Sequence, residues 1–424
     1  MNYEKEKYLP RLADETLEKY LKVFGAISVE GPKWCGKTWT ASKFSNSSVF
    51  LDNDDTYEKA SLNIELVLND NPPELIDEWT KIPKIWDVIR RKCDTNTKPG
   101  NYILTCSTEL NEKRQKKIFH SGAGRIGKIK MYPMSLYEAG ISTKEVSITD
   151  MFNGIQKDKN VKVPTLDEIA TFIIRGGWPS NINIESKLAN ILPKSYIEAI
   201  LDKDINDDKK RDKNKMLMLL RSLARNESTV VSNQTLLKDI EDYSTNNELL
   251  ESRNTITDYL DVLTRLYVIE NQEAYSENYR SSERVGKSPK RHFIDPSLAC
   301  AVLGLTKEKL LDDLKTFGFM FESLVERDLK IYIEYLGGHL YHFRDNISGL
   351  EIDSILEFPD GEYAAIEIKL GNNKVEEAKK SLLSFSENMI KKPKFMAIIT
   401  SNTTYVAQDK ETGIYILPIT ALRP

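Results

Sequence analysis

The stretch Gly31-Pro-Lys-Trp-Cys-Gly-Lys-Thr38 follows the apolar run Gly25-Ala-Ile-Ser-Val-Glu30 and constrains this chain more than any other segment. Two glycines at this spacing let backbone N–H groups turn inward around an anion, and a helix starting at Lys37 adds the positive end of its dipole. Gly31, Gly36, Lys37 and Thr38 satisfy G-x-x-x-x-G-K-[ST] in full. In that pattern the lysine reaches the β- and γ-phosphates and the hydroxyl goes to Mg²⁺. It predicts a phosphate cradle over Gly31, Pro32, Lys33, Trp34, Cys35, Gly36, Lys37, Thr38 and Trp39, with ATP and Mg²⁺ as cofactors. The competing reading is a chance match in an α/β turn.

Such a loop sits on a parallel sheet, and the flanking sequence is consistent with one. Leu12, Leu17, Leu21 and Phe24 form an apolar stripe that predicts a helix over 10–24. A helix is expected over 37–44. The runs Ser47-Ser-Val-Phe, Glu74-Leu-Ile-Asp, Tyr102-Ile-Leu-Thr-Cys and Ile126-Gly-Lys-Ile-Lys read as further strands. The polar segment 142–168 is where the first domain is expected to end. Helical patterns then run to about residue 270, and helix, turn, helix followed by a β-rich tail at His292-Phe-Ile-Asp-Pro resembles a winged-helix unit. A second α/β unit follows. The expected fold class is multidomain α/β: a P-loop parallel α/β ATPase core over 1–155, a helical and winged-helix-like middle over 156–304, and a second, separate α/β unit over 305–424.

Composition excludes little. The 424 residues carry a net charge of −4, so nucleic-acid contact requires a local basic patch. Cys35, Cys93, Cys106 and Cys300 lack CxxC spacing and read as reduced thiols. His120, His292, His339 and His342 show no ligand spacing and read as structural, as do Trp79, Trp86 and Trp178; Trp34 could also shield a nucleotide. The charged amino terminus and the lack of a long apolar window predict a soluble, cytoplasmic protein with no membrane partner.

Glu-Leu-Ile-Asp77-Glu78 places two acids at the end of an apolar run, where strand ends face the ligand in an open α/β sheet. Asp77 is expected to hold Mg²⁺ and Glu78 to polarise the attacking water. The alternative is that they cap the next helix. Ser107, or Thr105, is the candidate sensor of the γ-phosphate. Arg125, on the glycine-rich turn Ser121-Gly-Ala-Gly-Arg, is either an arginine finger acting in its own chain or on a neighbour, or a surface arginine. Arg11 is a weaker nucleotide-side candidate.

Near the carboxy terminus, Asp353 lies in one predicted strand and Glu367-Ile-Lys369 in the next, so Glu367 and Lys369 share a face. A hairpin turning at Pro359-Asp-Gly-Glu brings Asp353 near Glu367. Carboxylates and a lysine so placed can hold Mg²⁺ or Mn²⁺ and activate water for phosphodiester attack, as in D…E-x-K nucleases, with Glu322 the helix glutamate of such a site. The alternative is a charge pair on an amphipathic hairpin. The basic stretch Arg280, Arg284, Lys287, Lys290 and Arg291, with Tyr275 and Tyr279 interleaved, is the candidate contact to nucleic acid, DNA first.

Together, Ile27–Ala41, Pro73–Trp79, Ile103–Thr108, Ser121–Ile126 and Tyr132–Glu138 resemble the AAA-type ATPase domain of a large bacterial and archaeal family of ATP-binding proteins. His292–Ala299, Thr316–Leu329 and Ala365–Gly371 resemble the carboxy-terminal domain of unknown function that usually accompanies it. The resemblance implies a P-loop ATPase core, a winged-helix-like middle and a restriction-endonuclease-like α/β domain over 305–424. Cys106 stands where the family often has glycine, which makes the geometry of that strand a point for the structure to decide. The expected function is Mg²⁺-dependent ATP hydrolysis coupled to a DNA-handling, nuclease-like domain, in a chain that could oligomerise. The alternative is a nucleotide-dependent switch whose carboxy-terminal domain is a non-catalytic protein or nucleic-acid interaction module.

Overall fold

The computed structural model describes residues 7–69, 71–206, 210–243, 253–277, 289–345 and 347–424. The chain divides into two compact units. The first comprises Met1–Pro133 with Asn206–Lys210 and Asp261–Val268, and the second comprises the rest.

In the first unit, β1 (Ala26–Glu30), β2 (Ser47–Phe50), β3 (Glu74–Asp77), β4 (Tyr102–Cys106) and β5 (Ile126–Lys130) form a fully parallel sheet in the order β2-β3-β4-β1-β5. Every residue of β1, β3 and β4 is buried, as expected of strands covered on both faces. Ile27, Val29, Leu75 and Ile103 pack on one face with Leu17 and Ala41. Ala26, Ile76, Leu104 and Cys106 pack on the other with Trp79, Trp86 and Ile89. The helix expected over 37–44 spans Lys37–Phe44, and that expected over 10–24 spans Leu12–Leu21. Cys106 ends β4 in regular register opposite Glu30, so no glycine is needed there.

The second unit opens with the polar segment after Pro133, which holds two short strands, β6 (Val146–Ser147) and β7 (Lys159–Asn160). The helices Lys213–Arg225 and Asn233–Tyr243, and the part of the helix Arg253–Arg265 up to Leu260, precede the antiparallel pair β8 (Ile269–Gln272) and β9 (Lys290–Phe293). The helix Leu314–Tyr335 leads into the antiparallel strands β10 (His339–Arg344), β11 (Glu351–Glu357) and β12 (Tyr363–Lys369). The helix Val375–Asn388 then crosses to β13 (Phe395–Thr400), parallel to β12. Strands β14 (Tyr405–Gln408) and β15 (Tyr415–Pro418) extend the sheet, and β16 (Leu422–Arg423) ends the chain. The polar segment is no free linker, because β6 pairs with β16 and β7 pairs with β14.

Several of the sequence motifs meet in one buried cluster. Asp295 caps the helix Pro296–Leu303 by accepting from Ser297 N at 2.9 Å, with proline at the first helical position where no N–H is missed. Its other oxygen accepts from Gly177 N (2.9 Å) and from Arg327 (2.8 Å). Arg327 also pairs with Asp328, which accepts from Leu136 N at 2.9 Å. A buried ion triad survives only when its lone pairs find donors, and this one does so by joining four separate segments of the chain.

Candidate functional sites

The loop after β1 is shaped by glycine at the points where no other residue fits. Gly31 has φ 151°, and a Cβ there would lie 2.1 Å from the Met131 carbonyl oxygen. Gly36 has φ 103° and opens the helix Lys37–Phe44. Lys37 is buried, and its ammonium donates to the Pro32 carbonyl at 2.7 Å across the inside of the loop. Cys35 packs inward, whereas Trp34 and Trp39 are exposed.

Asp77 ends β3 beside this loop. Its Oδ1 accepts from Thr38 Oγ1 at 2.8 Å and from Thr105 Oγ1 at 2.6 Å. Burial pushes the Asp77 carboxyl above its ordinary range, against these two donors. Glu78 adopts φ 56°, a left-handed conformation that costs energy for a residue with a side chain. Its N–H donates to Thr105 Oγ1 at 3.2 Å, and its carboxylate accepts from the Ser107 hydroxyl. Neither acid caps the following turn: Asp77 is still in the strand and Glu78 makes no side-chain cap.

The second cluster lies wholly in the second unit. The β11–β12 ladder pairs Ser354 with Ile366, and the next positions outward are Asp353 and Glu367. Asp353 accepts from Ile368 N at 2.7 Å. Lys369 reaches Glu367 at 2.5 Å and Asp353 at 3.3 Å. Burial and the neighbouring Asp353 push the Glu367 carboxyl up to about 8, because one ammonium serves two carboxylates. Glu322 and Glu326, on one face of the helix Leu314–Tyr335, both bind the Lys290 ammonium, Glu326 at 2.8 Å.

Residues 24–140 match the AAA domain family. This segment is similar to an AAA-type P-loop domain. Residues 166–309 match a domain of unknown function (DUF8612), and 317–422 match another (DUF4143). No curated protein matches the chain. Among solved structures, a Walker-type ATPase of Pyrococcus abyssi is similar at 12% identity and TM-score 0.44, covering 70% of this chain and 97% of that one. The Orc1 protein of Aeropyrum pernix in complex with DNA is similar at 10% identity and TM-score 0.27, covering 70% and 93% respectively.

Within residues 24–140, Thr38, Asp77, Glu78, Thr105 and Ser107 come together. Arg125 does not join them. It precedes Ile126, which pairs with Ala26 at the start of β1, whereas the phosphate loop leaves from the far end at Glu30. At about 3.3 Å per residue, the length of β1 separates them by roughly 13 Å or more. Arg125 instead donates to Asp94 at 2.8 Å. Arg11 supports the loop from behind, donating to the carbonyls of Cys35 (2.7 Å) and Tyr132 (2.8 Å).

The proposed DNA contacts fare differently. Arg280, Arg284, Lys287 and Tyr279 lie outside the described residues. Lys290 is buried against glutamates, and Arg291 is engaged by the Val231 carbonyl and Asn233. Tyr275 is buried and packs on Tyr363 with ring centroids 5.0 Å apart. His292 bridges Gln272 and Glu227. Among the described residues, no group of three His, Cys, Asp or Glu is placed to hold a metal ion; Glu322 is paired with Lys290, and Asp353 and Glu367 with Lys369. Sequence reasoning missed Glu326 and the buried role of Lys290. No described helix is long and apolar enough to cross a membrane.

Proposed function

We propose that the AAA domain binds ATP with Mg²⁺ and hydrolyses it, and that this cycle acts on a carboxy-terminal domain of nuclease-like architecture that engages nucleic acid, DNA foremost. The observation that carries the enzymatic part is the paired arrangement of acids: Asp77 held by Thr38 and Thr105, and Glu78 held by Ser107. A hydroxyl and a carboxylate sharing a hydrogen bond beside the loop are hard oxygen ligands suited to Mg²⁺. Bound there, the ion would neutralise charge on the phosphates.

The remaining chemistry falls to the chain itself. Lys37 exchanges its Pro32 carbonyl for phosphate oxygens, and the backbone N–H groups of Gly31 and of residues 33–38 line the rest of the polyphosphate. Glu78, fixed through both backbone and side chain, accepts the proton of the attacking water. Wild-type protein should hydrolyse ATP with Mg²⁺ above a Lys37→Ala background. Glu78→Gln should lose roughly a hundredfold or more in rate while still binding ATP. No turnover above that background, with or without DNA, sinks the enzymatic reading.

The order helix, three antiparallel strands, helix, parallel strand, with Asp353 facing Glu367-x-Lys369, supports a nuclease-like assignment of the distal domain. One observation favours a second reading, a module that binds without cutting: each of its carboxylates is already paired with a lysine. Mn²⁺-dependent DNA cleavage lost in Glu367→Ala supports a nuclease. Binding without cleavage supports the module, and cleavage undiminished in Glu367→Ala marks a contaminant.

A further inference from the structure

A D…E-x-K site needs a divalent cation among its carboxylates, yet the charge is balanced here by something else. Lys290 leaves β9, in the segment before the sheet that carries Asp353 and Glu367, and its side chain is 6% exposed. Its ammonium binds Glu322 and Glu326, and Asp353 and Glu367 lie near enough to act on it electrostatically. Lys369 occupies the facing carboxylates, Asp353 and Glu367. A lysine ammonium is a compact cation with three donors, so it can occupy a position between carboxylates that would otherwise take a metal ion.

The surroundings hold Lys290 in place. β9 is paired with β8 along its whole length, from Ile269↔Phe293 to Gln272↔Lys290. Gln272 donates from Nε2 to the Tyr341 carbonyl at 2.9 Å, which ties β8 to β10. Two residues along β9, His292 lies 3.3 Å from Glu326, so a second β9 side chain faces the same helix. The cation is therefore delivered by a strand fixed at several points.

We infer that the Lys290 ammonium is the resident cation of the Glu322–Asp353–Glu367 site, in place of a divalent metal. This rests on reading Asp353, Glu367 and Lys369 as a D…E-x-K site. In the chain as it stands, that site takes up no divalent ion while Lys290 is paired there. Its carboxylates become a metal site only when Lys290 is removed or β9 is displaced.

The test is Mn²⁺ binding to nucleotide-free, full-length protein, read by electron paramagnetic resonance. The P-loop contribution cancels between proteins that differ only at Lys290 and its neighbours. Lys290→Met should bind one Mn²⁺ more than wild type, and adding Glu367→Gln should abolish the gain. Lys290→Arg, which keeps the charge, should behave as wild type. Because Lys290→Met strands two buried glutamates, Lys290→Met combined with Glu326→Gln removes one of them and should show the same gain in a folded chain. Mn²⁺ bound by wild type and lost in Glu367→Gln overturns the inference while leaving the D…E-x-K reading intact. No gain in either folded Lys290 variant overturns both.

Discussion

Thr105 Oγ1 donates to Asp77 Oδ1 at 2.6 Å. The same hydroxyl accepts from the N–H of Glu78 at 3.2 Å, so one side chain on β4 sets both Asp77, at the end of β3, and Glu78, just after it. Valine has the same shape without the hydroxyl. Thr105→Val should therefore leave the sheet intact, cost about 1–3 kcal/mol through the unpaired Glu78 amide, and cut ATP turnover roughly tenfold to a hundredfold. ATP affinity should change little, since the phosphates are met by the loop. Urea melts and steady-state ATPase assays check both, and an unchanged kcat removes Thr105 from the positioning of these acids.

Arg125 makes the opposite prediction. Its side chain is 52% exposed and pairs with Asp94 at the sheet edge away from the phosphate loop. Arg125→Ala should cost no more than about 1 kcal/mol of stability. In dilute protein it should leave kcat within about twofold, because the removed cation lies too far from the γ-phosphate to stabilise charge there. If a neighbouring copy supplied this arginine, wild-type activity per molecule would rise with concentration and the variant's would not. A loss of turnover at every dilution would contradict the position of Arg125 at that edge.

What was legible in the sequence was local. Gly31 and Gly36 announce a positive-φ loop wherever they occur at that spacing, and the helix that begins at Lys37 follows from it. Pro359-Asp-Gly-Glu announces the turn that brings Asp353 to Glu367. The rest depended on pairing between distant segments. Lys290 sits in a basic stretch that reads as a solvated surface, and only its contacts to Glu322 and Glu326, 32 and 36 positions on, bury it. Arg125 looked like a finger because spacing gives no strand polarity; the parallel register of β5 on β1 puts it at the wrong edge. Val146–Ser147 and Lys159–Asn160 are too short to show alternation, so a polar segment that pairs with the distal strands reads as the place where the first domain ends.

The four cysteines offer a check on the core. Cys35, Cys93, Cys106 and Cys300 are all buried free thiols. Burial pushes Cys93 up to about 11 and raises Cys106 and Cys300 as well, so these three hold little thiolate at pH 8, and Cys35 is shielded by its burial. Native protein should react negligibly with a disulfide reagent such as DTNB over minutes, and four thiols should titrate in urea. A fast-reacting thiol in native protein would show that one of these packed faces is open.

Glu367 and Lys369 predict a pH dependence local to the distal sheet. An unfolded glutamate loses its proton near pH 4.5, whereas Glu367 in the fold holds its proton up to about 8. Between those values the unfolded chain binds fewer protons than the folded one, so stability falls as pH rises through that window and levels off above it. Glu367→Gln removes the titrating group and should flatten this slope. The two units need not unfold together, so the readout is native-state hydrogen exchange at the Ile366 and Ile368 amides of β12, corrected for the intrinsic pH dependence of exchange. Protection of these amides should weaken from pH 5 to pH 8 in wild type by up to a few kcal/mol and much less in the variant. Parallel profiles would mean that Lys369 alone keeps Glu367 ionised throughout, and the excess proton assigned to this pair would have to reside elsewhere.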